Sequence, residues 1–235
     1  MSHSAERRGI LAGGNFIIDY VKIIDRYPEQ DTLASIVRES RANGGGPYNL
    51  LKDLAALGAG FPLEAAGRVG DDANGRWVLD DCAAAGIGTA QLRVLPGAPT
   101  SYTDAMTVES TGRRTFFHQR GANARLEAGD FELWHWRVLL SGLYDAARYA
   151  DSFDDGGRTR FSRALEAARA AGLRTCADLV STEHAWIAVI ANLSLPFVDV
   201  LVLNEIEVRI TGIPLRRRHP AGGGGGAALI EVASR

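Results

Sequence analysis

Short apolar runs alternate with amphipathic helical segments along most of this chain, and that alternation restricts its fold more than any other feature. Pro47 to Leu57 places Leu50, Leu51, Leu54 and Leu57 at helical spacing, with Pro47 suited to the first turn and Gly58 to the C-terminal cap. On either side of it, Gly9 to Ile18 and Leu63 to Gly67 read as buried strands. A second helix is predicted from about Gly75 to Ala85, with Trp77, Val78, Cys82 and Ala85 on one face and Gly86 ending it. Further strands are predicted at Val138 to Ser141, Leu173 to Leu179 and Val198 to Leu203. Their partner helices are one marked by Phe161, Leu165 and Ala168 and closed by Gly172, one from Glu183 to Ala191, and a short one from Asn204 to Thr211. Only Ser101 to Glu109 and Arg114 to Gln119, joined by Ser110-Thr111-Gly112, read as a β-hairpin. Strands separated by helices of this length build a mostly parallel sheet with helices on both faces, an α/β fold. Ligands in such folds sit beyond the carboxyl ends of the strands.

Three motifs stand at such junctions. The first is Gly13-Gly14-Asn15-Phe16-Ile17-Ile18-Asp19. In a continuous strand, residues 15 and 19 share a face, so an amide and a carboxylate could bind vicinal hydroxyls of a sugar. On pattern alone, a strand end with a polar exit is the better explanation. The second is Asn43-Gly44-Gly45-Gly46-Pro47-Tyr48-Asn49. Consecutive glycines let a ligand reach the backbone, the helix start offers unpaired N–H donors, and Asn49 lies on the first turn. The simpler alternative is a flexible loop, but the run abuts a helix directly. No Gly-Lys-Ser/Thr follows, so it is not a P-loop. The third is Asn204-Glu205-Ile206-Glu207 after an apolar strand. Asn followed three residues later by Glu is a capping box, and it is also a pair through which Glu207 could organise a hydrated Mg²⁺.

Composition removes other classes. With 26 Lys+Arg against 28 Asp+Glu there is no basic surplus to suggest nucleic acid or an anionic membrane as partner. Cys82 and Cys176 are far apart, and His3, His118, His135, His184 and His219 show no ligand spacing. A disulfide framework and a metal cluster are therefore not expected, and a reducing, cytoplasmic setting is. Asn15 and Asp19 interrupt the first apolar run, and Asn192, Pro196 and Asp199 interrupt Ala185 to Leu203, so neither a signal peptide nor a membrane span is expected.

Taken in order, these segments resemble the ribokinase-like, PfkB-type carbohydrate kinases over roughly residues 9 to 214. The resemblance rests on the Gly-Asn-x-x-x-Asp strand and the Gly-Gly-x-x-x-Asn run into Leu50-Leu51-Lys52-Asp53-Leu54-Ala55-Ala56-Leu57-Gly58. It continues through Gly67-Arg68-Val69-Gly70-Asp71-Asp72-Ala73-Asn74-Gly75, Pro99-Thr100-Ser101, Gly112-Arg113-Arg114-Thr115, Gly121-Ala122-Asn123 and Asn204-x-x-Glu207. It implies a three-layer α/β fold with a small β-lid, from about residues 15–42 and 100–120, that closes over the acceptor and builds a homodimer in many members. It further implies ATP-dependent phosphorylation of a sugar or nucleoside-like alcohol. Asn15, Asp19, Gly44, Gly45 and Asn49 would contact the acceptor. Asn204 and Glu207 would lie at the Mg²⁺–phosphate site, with Glu207 reaching the metal through water.

One family signature has no counterpart in the sequence. Asp-Thr-x-Gly-Ala-Gly-Asp, the source of the family's catalytic base, does not follow Asn204-x-x-Glu207. Instead come Arg216-Arg217-Arg218-His219-Pro220 and five glycines, Gly222 to Gly226. Residues 215–235 therefore read as a low-complexity, disordered tail, and the chain as truncated or frameshifted, with a short natural variant as the alternative. A positioned base is worth about 10²–10⁴ in rate, and one anion-stabilising donor roughly 10²–10³. On that reading turnover by this chain is doubtful; a non-catalytic sugar-binding or regulatory protein and a non-functional fragment are the rivals.

Overall fold

The computed structural model describes residues 8–133, 136, 138–143, 152–180, 186–213 and 228–231. The first strand, β1 (Ile10–Gly14), lies at the centre of a seven-stranded sheet. It pairs in parallel with β4 (Leu63–Gly70) on one side and β8 (Val138–Leu143) on the other. Beyond β4 lies β5 (Gly88–Leu95); beyond β8 come β9 (Arg174–Leu179) and β10 (Val200–Leu203), all parallel. The chain thus builds outward from β1 in both directions, and β1 with β8 forms the switch point where a crevice opens at the strand ends.

Helices α1 (Gly46–Ala56) and α2 (Ala73–Ala84) serve one core, and α3 (Arg160–Ala170), α4 (Ile187–Ser194) and α5 (Glu205–Thr211) belong to the other half of the chain. Alternate residues of the central strands feed separate cores. Ala12 and Ala65 pack with Tyr48, Leu51, Val78 and Cys82, whereas Leu11 and Ala66 pack with Phe161, Leu165, Ile187 and Leu201. A period of two on a strand buried on both faces produces this division. Fully burying one such Leu or Phe is worth roughly 1.5–3 kcal/mol.

A second sheet of four strands runs β3-β2-β6-β7: β2 (Ile17–Ile24), β3 (Ile36–Gly44), β6 (Tyr102–Val108) and β7 (Arg114–Gln119). Its existence corrects the expected single strand from Gly9 to Ile18. Gly14, at φ 134°, ends β1, Asn15 and Phe16 cross between sheets, and Ile17 starts β2 in the other one. Residues 15 and 19 therefore do not share a face of one strand. Two strands had no clear pattern in the sequence. Along β3 everything from Ile36 to Ala42 is exposed, so no apolar alternation marks it, and β5 carries a register shift against β4 at Glu64/Ala66.

The expected hairpin forms as β6 and β7. The start of the expected helix from Glu183 falls outside the described residues, and α4 begins at Ile187. In the expected tail, residues 214–227 and 232–235 also fall outside them. Ala228–Glu231 form β11, antiparallel to β10. No helix among the described residues is long and apolar enough to cross a membrane.

Candidate functional site

The glycine run lies between β3 and α1, at the carboxyl edge of the large sheet, and each glycine is packed against a different element. A Cβ on Gly44 would overlap the carboxylate of Asp19, from β2. One on Gly45 would overlap the backbone carbonyl of Asn15, in the crossing after β1, and Gly45 itself has φ 92°. One on Gly46 would overlap the carboxylate of Asp178, near the end of β9. Only glycine allows these approaches and the left-handed backbone at Gly45 together. Pro47 then sits in the first turn of α1, where its missing N–H costs nothing.

Asn15 and Asp19 thus meet adjacent glycines of one run by different routes, although the strand argument for bringing them together fails. Asn15 is buried and its Oδ1 has no hydrogen-bond partner. Burial raises the carboxyl pKa of Asp19, against the hydrogen bond from Thr103 and the charge of Arg114, which lower it. Asn49 is exposed on the first turn of α1, and its Oδ1 accepts from Asn43 Nδ2 at 2.7 Å.

Asp178 is the residue that motif reading passed over. Its Oδ1 is buried without a partner. Burial, with the charge of Glu207 adding, pushes its carboxyl up to about 7. The signal available in the sequence was an acid near the end of a predicted apolar strand, Leu173 to Leu179, where polar groups gather in this fold class.

Asn204 and Glu207 form a closed capping box at the start of α5. Asn204 Oδ1 accepts from the backbone N–H of Ile206 and Glu207, both at 2.9 Å. In return, Glu207 Oε2 accepts from Asn204 N at 2.8 Å and Oε1 from Asn204 Nδ2 at 2.7 Å. Glu207 is buried. Its charge acts on Asp178, whose carboxylate packs against Gly46 of the glycine run. No group of three or more His, Cys, Asp or Glu able to hold a metal occurs among the described residues.

The remaining motifs form the root of the lid. Asp72 caps α2 through Gly75 N at 2.8 Å and accepts from Thr100 N at 2.8 Å and Thr100 Oγ1 at 2.6 Å. Burial works against its ionisation, yet these hydrogen bonds hold its carboxyl below the usual range. Gly121 packs on Pro99, Ala122 N donates to Pro99 O at 2.8 Å, and Asn123 Nδ2 donates to Phe16 O at 3.3 Å. Among the contacts that join lid to body, Tyr20 donates to Asn74 at 2.8 Å and Arg41 stacks 4.8 Å from the Trp77 ring centre.

A mostly parallel sheet covered on both faces, with a glycine run at its switch point and a four-stranded lid beside it, is the architecture of a three-layer, ribokinase-like α/β fold. The chain belongs to the pfkB family of carbohydrate kinases, whose family model matches residues 10–221. A curated relative, the ATP-dependent ribose-1-phosphate kinase of Halopiger xanaduensis, is 32% identical over 116 residues, 48% of this chain and 38% of that protein. Among solved structures, Arabidopsis thaliana ribokinase complexed with ribose and ATP superposes with TM-score 0.67 at 22% identity, covering 90% of this chain and 65% of that one. Methanocaldococcus jannaschii nucleoside kinase gives 0.65 at 14%, covering 89% and 66%. The chain thus spans less than two thirds of the length of these proteins.

Proposed function

We propose that this chain holds the acceptor side of a site for ATP-dependent phosphoryl transfer to an alcohol group of a sugar or sugar-like molecule. One observation carries the reading. The glycine run packs against the carboxylates of Asp19 and Asp178 and the backbone carbonyl of Asn15, all oxygen acceptors, and the buried Asn15 Oδ1 and Asp178 Oδ1 have no partner. A buried acceptor without a partner costs roughly 1–3 kcal/mol, so such groups call for a ligand that donates. A polyol does this; an anion at the same spot would meet like charge. Gly44 and Gly45 let the ligand lie against the backbone, and Asn49 borders the same helix start.

The donor half follows from the family. Asn204 and Glu207 would adjoin the ATP phosphates, with Glu207 holding Mg²⁺ through water, because Mg²⁺ keeps waters and takes few carboxylates. When bound, Mg²⁺ supplies charge neutralisation for the transferring phosphoryl group. The protein's own part is to align the acceptor hydroxyl and, by lid closure, to keep water from competing with it.

A second reading, a non-catalytic sugar-binding protein, is favoured by one fact: both carboxylate oxygens of Glu207 are already engaged by Asn204. ADP release in a coupled assay separates the two. The acceptor site itself is tested by calorimetry with D-ribose, D-fructose and adenosine. Asp19→Ala should weaken binding of the preferred acceptor by about 1.5–3 kcal/mol, the worth of a charge-assisted hydrogen bond, without lowering the melting temperature. An unchanged isotherm removes Asp19 from the site.

A further inference from the structure

Asp19 is the first of three side chains standing in a row across the lid. β2 pairs with β6 with Asp19 opposite Thr103, and β6 pairs with β7 with Thr103 opposite His118. Side chains opposite one another on neighbouring strands share a face and interact. Thr103 links the row: its Oγ1 lies 2.9 Å from His118 Nδ1, and it lowers the Asp19 carboxyl as a hydrogen-bonding neighbour.

The proton inventory sets its direction. A hydroxyl has one proton to give, and a carboxylate can only accept. With Asp19 ionised, Thr103 donates to Asp19, and its oxygen must then accept from a protonated Nδ1 of His118. Thr103 is buried, which shields the bridge from water, whereas His118 is exposed. His118 also lines an open hollow of about 580 Å³ together with Gln119, Arg120 and Gly121.

We propose that Thr103 and His118 are positioning residues of the acceptor site, holding the Asp19 carboxylate in the orientation that faces Gly44 and so setting how tightly an acceptor hydroxyl is held. The inference rests on Asp19 being an acceptor contact, as argued above. A merely structural Thr–His pair in a lid sheet would stabilise the sheet without changing the affinity for sugar.

Nitrogen-15 NMR of the imidazoles in the full chain at pH 8, with a D-ribose titration by calorimetry, tests the row. The expected result is His118 carrying its proton on Nδ1 in the unaltered chain and in Thr103→Ser, and on Nε2 in Thr103→Val. D-Ribose affinity should fall roughly five- to tenfold in Thr103→Val, within the range of one ordinary hydrogen bond, and stay within about twofold in Thr103→Ser. A proton on Nε2 of His118 in the unaltered chain overturns the row, whatever ribose does. Unchanged ribose affinity in Thr103→Val overturns the positioning role. No binding of D-ribose, D-fructose or adenosine by the unaltered chain overturns the acceptor-site reading, and the positioning role with it.

Discussion

The carboxyl of Asp178 is held near neutrality by burial against Gly46 and by the charge of Glu207. That position has a consequence for stability. The folded form, with its raised pKa of about 7, binds a proton that the unfolded chain has already released above the ordinary value of 3.8. Between these values the native state holds more protons than the unfolded one, so the Asp178 contribution to stability falls as pH rises from about 4 to about 7. In urea unfolding, Asp178→Asn should therefore lose that part of the pH dependence. Relative to the unaltered chain it should gain up to about 4 kcal/mol at pH 8 compared with pH 4. Parallel pH profiles for the two proteins would mean that the carboxyl is ordinarily ionised. Asp19 shares the same logic in weaker form, because Thr103 and Arg114 offset part of its burial.

In α5 the cap and the metal role can be separated by experiment. The capping box predicts that Asn204→Ala costs roughly 0.5–2 kcal/mol of stability whether or not Mg²⁺-nucleotide is present. The phosphate-site reading predicts that Glu207→Gln leaves much of the cap in place, since an amide oxygen still accepts, yet reduces Mg²⁺-dependent activity in a form carrying the family's C-terminal signature. Wild-type turnover by that variant would leave capping as the whole explanation. The lid makes a different prediction. Its edge strands β3 and β7 expose Ile36, Val37, Phe116 and Phe117, each at least half accessible. Exposed edges of this kind invite pairing, and we propose a homodimer through the lid. Sedimentation velocity should find a dimer, and Val37→Lys with Phe116→Lys should shift it to monomer. A monomer at every concentration would rule the lid contact out.

For the chain as a unit, the expected outcome is acceptor binding without phosphoryl transfer. None of its 235 residues supplies the Gly-Ala-Gly-Asp helix start and base of the family. A positioned base and an anion-stabilising donor are each worth orders of magnitude in rate, and losses within one unit do not simply add. The measurement is ADP release across hexoses, pentoses and nucleosides, comparing this chain with a form extended by a family-like segment ending in Gly-Ala-Gly-Asp and its helix. The extended form should turn over and the shorter one should not. Robust, sugar-dependent ADP release from the shorter form would show that Asp178 or another group serves as base.

The sequence alone determined whatever depends on neighbours in the chain. Leu51 faces the core from α1, Val78 and Cys82 from α2, and Phe161, Leu165 and Ala168 from α3, because helical spacing alone brings such residues onto one face. The Asn204–Glu207 cap was legible for the same reason: its partners lie within one turn. The glycine run announced close approach but not what approaches. Tertiary structure decided that Asp19, Asn15 and Asp178 each take one glycine, since the crossing after Gly14 and the sheet order set those distances. It also decided β3, whose exposed faces leave no apolar period to read, and the Asp19–Thr103–His118 row, which exists only through strand register. Local sterics and hydrogen bonds are written in adjacent residues, whereas register and strand order arise from pairing between distant segments.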